Sequence, residues 1–164
     1  MKMKKLKKLA AVFAAVIMVL SVSGCGSDPV ADEFQNFINN DMTEINANYE
    51  AMKEEVAKWE GFETPDEFVD SLNNTVIPNI NSSIELLGAI NLETEEVIAI
   101  KEKYRAVLLA YKDGYGEMLQ GFRSGDEDKV VSGSEKVENA VSLLDDYNAA
   151  LEALAEEKGL SVEY

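Results

Sequence analysis

The sequence predicts an all-α fold, an up-down-up-down antiparallel four-helix bundle. Three observations predict it. Apolar residues recur at helical spacing, largely in alternating steps of three and four, along four stretches. The stretches are similar in length. Short segments rich in capping and turn residues separate them, which makes consecutive helices antiparallel neighbours. No strand pattern competes.

The first helix is expected over residues 30–59. Its inward stripe is Ile38, Met42, Ile45, Tyr49, Met52, Val56 and Trp59, a sustained heptad seam that Phe34 extends backwards. Gly61 supplies the stop. Thr64-Pro65-Asp66-Glu67 then reads as a helix start. Thr64 suits the cap, Pro65 the first turn, and Glu67 completes a capping box. The second helix continues to about Ile90, with Leu72, Val76, Ile80, Ile84 and Leu87 inward. Three successive steps of four carry this stripe around the helix by ~40° each. Pro78 falls within the drift, lacks a backbone donor and clashes with the preceding turn. Helix two is therefore expected to be kinked or bulged between Asn74 and Pro78, with a break into two helices as the alternative.

Asn91 to Thr94 is the next turn, with Thr94 as expected cap. The third helix runs to about Arg123, with Val97, Tyr104, Leu108, Tyr111, Tyr115, Met118 and Phe122 inward. Gly114, Gly116 and Gly121 lie inside it, and each costs about 1 kcal/mol relative to alanine. Folding the chain back at Gly125 brings Gly114 and Gly116 level with Ser134 and Lys136, beside the small residues Ser132-Gly133-Ser134. Close backbone approach is the expected reason for the glycines. The fourth helix spans about Glu127 to Lys158, with Val130, Val137, Val141, Leu144, Tyr147, Leu151 and Leu154 inward, and Gly159 ends it. The tail Leu160 to Tyr164 carries no clear pattern.

The amino-terminal stretch says where the protein resides. Met1 to Lys8 holds five lysines and no acid, and Leu9 to Leu20 is an unbroken apolar run of twelve. Small residues follow. This is the order of a secretory signal, and twelve apolar residues fall short of the ~20 that span a bilayer. Val22-Ser23-Gly24-Cys25 resembles the bacterial lipobox. The resemblance implies diacylglycerol transfer to the Cys25 sulfur and cleavage between Gly24 and Cys25. Cys25 is the only cysteine, so no internal disulfide forms. The chain then divides into a signal over 1–24, a lipidated cysteine and tether over 25–29, and one helical domain over 30–164. The tether Gly26-Ser27-Asp28-Pro29 holds the body within roughly 15 Å of the headgroups, at ~3.6 Å per residue. Size, helicity and lipobox together resemble the small helical lipoproteins of Gram-positive bacteria. That resemblance implies a lipid anchor on the outer face of the cytoplasmic membrane.

Loss of the signal removes five of the 15 basic residues, leaving 10 against 31 acidic ones, a net charge of −21. Such a surface is a poor partner for nucleic acid, whose binding relies on Lys and Arg at phosphates. It keeps the protein soluble. The chain has no histidine, which excludes a histidine triad, a histidine-based zinc site, histidine-ligated haem and the Glu-x-x-His pairs of bundle di-iron proteins. No glycine-rich phosphate loop occurs. Asp126 and Asp128 begin a calcium-loop pattern that Val130 and Val131 interrupt. No carboxylate lies clearly in a seam, as a paired-carboxylate hydrolase would require. No catalytic residue, metal site or cofactor is expected.

Two functional readings remain. The first is a non-enzymatic interaction or structural module, anchored to the membrane through lipid on Cys25, with an envelope protein as partner. The second is a binding protein for a small ligand or cation. Its pocket would lie between helices, lined by Tyr104, Tyr111, Tyr115, Asn74 and Pro78. Ordinary core packing of the tyrosines is the competing account of those residues.

Overall fold

In the computed structural model the chain is mostly helical. It describes residues 19–22 and 28–163. Six α-helices follow in order: α1 (Pro29–Asn36), α2 (Thr43–Ala57), α3 (Pro65–Ser71), α4 (Ile77–Ala89), α5 (Glu95–Ser124) and α6 (Glu127–Glu157). A π-helical segment, Phe37–Asp41, joins α1 to α2, and a second, Leu72–Val76, joins α3 to α4. A 3₁₀ turn, Lys58–Gly61, closes α2. Two short strands, β1 (Val19–Val22) and β2 (Leu160–Glu163), pair antiparallel, with Val22 opposite Leu160. The strands depart from the purely helical expectation. Val19-Leu20-Ser21-Val22 and Leu160-Ser161-Val162-Glu163 are short, apolar-rich and alternating enough to form a ladder.

The inward stripes explain the core. Every expected seam residue of the first helical stretch, Phe34 through Trp59, is buried. Leu72, Val76, Ile80 and Leu87 are buried in the second, whereas Ile84 is half-buried and Ser83 takes the interior beside it. That exchange follows from the drift of the stripe. Phe68, Ile100, Val107, Leu119 and Ala140 add to the core beyond the expected set.

Both π segments sit where the apolar pattern advances by fours: Phe34-Ile38-Met42 and Leu72-Val76-Ile80. A wider turn absorbs such an advance without rotating the stripe away from the core. The backbone N–H of Met42 reaches the Phe37 carbonyl at 3.0 Å, and that of Ile77 bonds the Leu72 carbonyl, both five residues back. The second bulge lies directly before Pro78, which stands in the first turn of α4. The helix runs on through 77–89 without a break. Asn79 donates its side-chain amide to the Thr75 carbonyl at 2.8 Å in the turn where proline supplies no donor.

Helix ends are fastened by groups distant in sequence. Thr94 is the N-cap of α5 by position, but its side chain does not cap. Instead Glu33 of α1 accepts from the backbone N–H of Glu93 at 2.6 Å, from that of Thr94 at 2.8 Å, and from the Thr94 hydroxyl. Partial burial opposes ionisation of Glu33, yet the hydrogen bonds from Thr94 and Glu93 outweigh it and hold the carboxyl below its ordinary value of 4.5. Because the native pKa lies below the unfolded one, this stabilisation is present above about 4.5 and is lost as pH falls through the native value. Glu33→Gln is expected to lower the melting temperature at pH 7 and to flatten its acid decline. Thermal melts across pH 3–7 check this, and equal acid slopes in both proteins would count against it.

Lys101 donates to the Ile90 carbonyl at 2.6 Å, closing α4, and Arg123 donates to the Asn73 side-chain oxygen at 2.8 Å. Gly125 ends α5 in the left-handed conformation, φ 68°, and the Asp126 N–H returns to the Gly121 carbonyl at 2.9 Å. Asp126 then caps α6 through Lys129 N–H.

Candidate functional site

The five residues expected to form an internal pocket fall into two groups. Tyr104, Tyr111 and Tyr115 are buried, whereas Asn74 and Pro78 are exposed. The correction follows from helix geometry. Heptad spacing turns the tyrosine rings into the seam, while Asn74 and Pro78 fall between the inward Leu72, Val76 and Ile80 on the outer side. The polar residues of helix two find other partners. Ser82 accepts from the Asn48 side chain at 3.0 Å, and Asn73 meets Arg123.

The tyrosines pack as core. Tyr104 lies against Tyr147 with ring centroids 4.9 Å apart, and Tyr111 stacks on Tyr115 at 5.9 Å. Tyr115 meets Trp59 edge-on at 5.9 Å. Burial pushes the phenols of Tyr49, Tyr104, Tyr111, Tyr115 and Tyr147 well above their ordinary value of 10.0. They stay neutral at any physiological pH and offer no phenolate as base, nucleophile or metal ligand. The Tyr115 hydroxyl is buried with no hydrogen-bond partner among the described residues. Tyr115→Phe removes a desolvated group without orphaning another, so it is expected to be neutral or to stabilise by up to ~1 kcal/mol. Urea denaturation measures this. A loss above ~1 kcal/mol would instead reveal a buried water on that hydroxyl.

Among the described residues an open groove lies between α5 and α6. Its volume is about 480 Å³, within the range of small-ligand sites. Leu109, Lys112, Asp113, Gly116, Glu117 and Gln120 line it from α5, and Lys129 and Lys136 from α6. On α5 these residues recur at alternating steps of three and one, which is one helical face. Two close contacts set the pairing of the helices. A Cβ on Gly114 would come within 2.9 Å of the Gly133 carbonyl, and one on Gly121 within 2.8 Å of the Val130 nitrogen. Position advances on α5 as it recedes on α6, so this pair is antiparallel. Gly116 differs from its neighbours. A Cβ there would meet nothing within 4 Å, because the residue floors the groove instead of touching α6. Small-against-small packing thus accounts for Gly114 and Gly121 but not for Gly116.

Lys136 crosses from α6 to ion-pair with Asp113 at 2.7 Å and Glu117 at 2.9 Å. Its hydrogen bonds to Asp113 and Glu117 push the ammonium above its ordinary value, and the bond from Lys136 holds the Glu117 carboxyl down. Lys136 and Glu117 stay charged at neutral pH. The exposed ammoniums of Lys112 and Lys129 make no ion pair among the described residues. With three cations against two carboxylates, the lining is net positive on a strongly acidic chain. Sequence reasoning missed this patch, since lysines scattered among acids look like solvated charge.

Among the described residues no three His, Cys, Asp or Glu side chains are placed to hold a metal ion. Among those residues no helix is long and apolar enough to cross a membrane. Cys25 and the Gly24–Cys25 junction lie outside the described residues. No protein-family model, curated protein or solved structure matches the chain.

Proposed function

We propose that the chain is a lipid-anchored, non-enzymatic lipoprotein of the cell envelope, held on the outer face of the cytoplasmic membrane through Cys25. Its helical stretches 29–61, 65–89, 95–124 and 127–157 serve as the four members of an up-down-up-down antiparallel bundle, with helix two bent at its π segment before Pro78. The body docks another envelope protein through an outer helix face. The observation that carries this reading is the filled interior: the tyrosines that would line an internal site are packed on one another and on Trp59. Recognition is thereby left to the surface. The pocket near Pro78 loses its geometric basis with the outward placement of Asn74 and Pro78.

The anchor has a defined point of departure. Asp28 caps α1 by accepting from Val30 N–H at 2.9 Å, and Lys158 at the end of α6 lies 3.4 Å from the same carboxylate. Asp28 is thereby tied to both ends of the helical body. Cleavage at Gly24 also removes β1, so the mature chain keeps β2 without its ladder partner.

Metabolic labelling with a tagged fatty acid tests the anchor, and in-cell crosslinking with mass spectrometry tests the docking. Cys25→Ala is expected to abolish labelling; retained label would end the lipobox reading. One envelope protein is expected in near-equal amount with the crosslinked wild type, and to be lost when charges on the docking face are reversed. Recovery of the bundle alone would end the docking reading.

A further inference from the structure

We propose that the α5–α6 groove is a binding site for a small, elongated dianion, such as a dicarboxylate or a phosphorylated carboxylic acid. The inference does not depend on the lipid anchor. It begins with charge. Only 10 basic residues remain outside the first eight positions, and three of them line this one groove. One of the three, Lys136, is neutralised in place by Asp113 and Glu117. The other two, Lys112 and Lys129, are exposed and carry no ion pair among the described residues.

The shape of the site follows from helix register. Lys112 stands one turn from Leu109 at one end of the lining. Lys129 lies beside Gln120 at the other, one residue beyond the Val130 nitrogen that meets Gly121. At 1.5 Å per residue the two lysine backbones are about 14 Å apart along the axis. Ammonium groups on flexible stems of ~6 Å can draw toward each other or stay apart, so they bracket the two ends of a ligand. Lys136, its charge already matched by Asp113 and Glu117, stands between the two lysines, nearer the Lys112 end. The floor there is Gly116, which leaves room for an uncharged segment of the ligand. Leu109, 42% exposed, gives that segment apolar contact, and Gln120 offers an amide. A single small anion would use one lysine and leave the other idle; a longer dianion engages both.

The test titrates the full-length chain, held in neutral detergent, with acetate, succinate, adipate and suberate. Binding is followed by NMR at the backbone amides of Lys112, Gly116 and Lys129. Affinity is expected to rise with length, suberate binding at least ten-fold tighter than acetate, and to weaken with added salt. Lys112→Gln and Lys129→Gln are each expected to weaken suberate about three- to five-fold, the range of an exposed charge pair. Both residues are exposed, so the variants fold. Gly116→Leu fills the floor without a backbone clash and is expected to abolish binding. Absence of shifts at Gly116 with every probe at millimolar concentration would overturn the proposal. So would suberate affinity unchanged in both lysine variants, and acetate matching suberate would overturn the dianion assignment.

Discussion

Replacing Trp59 by alanine is expected to destabilise the fold by about 3–5 kcal/mol, the cost of emptying a large aromatic site in a packed core. The side chain is fully buried, and its three neighbours come from α3 and α5. Its edge meets Phe68 of α3 at 5.5 Å and Tyr115 of α5 at 5.9 Å, while its indole N–H donates to Ser71 at 2.7 Å. Phe68 in turn stacks on Phe122 at 5.1 Å. Removing the indole therefore loosens the 3₁₀ turn, α3 and α5 together, and leaves the buried Ser71 hydroxyl unpaired. The Ser71→Ala variant isolates the polar share. It orphans the indole donor and is expected to cost about 1–3 kcal/mol. Combining Ser71→Ala with Trp59→Phe removes both polar partners and should lose less than the two single costs added. Urea denaturation followed by circular dichroism measures these variants and the Trp59→Phe single that completes the cycle. A Trp59→Ala loss below ~1 kcal/mol would mean that the ring is not the joint between these helices.

The seam residues were legible because burial on a helix obeys a fixed period. Phe34 through Trp59 could be read inward from spacing alone. The bulge before Pro78 was legible too, since a proline and a run of fours coincided there. The bulge at Phe37–Asp41 carried the same run of fours in Phe34-Ile38-Met42, without a proline to draw notice. Both π turns thus coincide with a run of fours, one with a proline near and one without. The clasp between Glu33 and Thr94 was not legible. The partners are 61 residues apart, and only the packing of α1 beside the start of α5 makes an acid on one helix the cap of another. The lysines of the groove were hidden for a similar reason. Lys112, Lys129 and Lys136 are distant in sequence, and the approach of α5 to α6 is what gathers them. Asn74 and Pro78 misled because a proline and amides suggest an opening, whereas helical phase sends them outward.

That approach of α5 to α6 rests on glycine. Gly133→Ala is expected to destabilise by about 1–3 kcal/mol, although alanine is the better helix former by about 1 kcal/mol. A Cβ on Gly133 would stand 2.6 Å from the Gly114 carbonyl and 2.7 Å from the Met118 nitrogen. Both are backbone atoms of a continuous helix, so neither can turn aside as a side chain would. The reverse contact is equally close, with a Cβ on Gly114 reaching within 2.9 Å of the Gly133 carbonyl and the Val137 nitrogen. One added methyl therefore drives the two longest helices apart, and the core between Tyr111, Met118, Val130 and Val137 opens with them. Gly116→Ala is the matched control, on the facing helix α5 and free of any contact within 4 Å. It should gain about 0.5–1 kcal/mol from propensity alone. At roughly 2–4 °C per kcal/mol for a chain of this size, the two alanine variants should melt on opposite sides of the wild type. If Gly133→Ala melted with Gly116→Ala, the helices would have to be further apart than 2.6 Å contacts allow, and the groove that depends on their spacing would lose its shape as well.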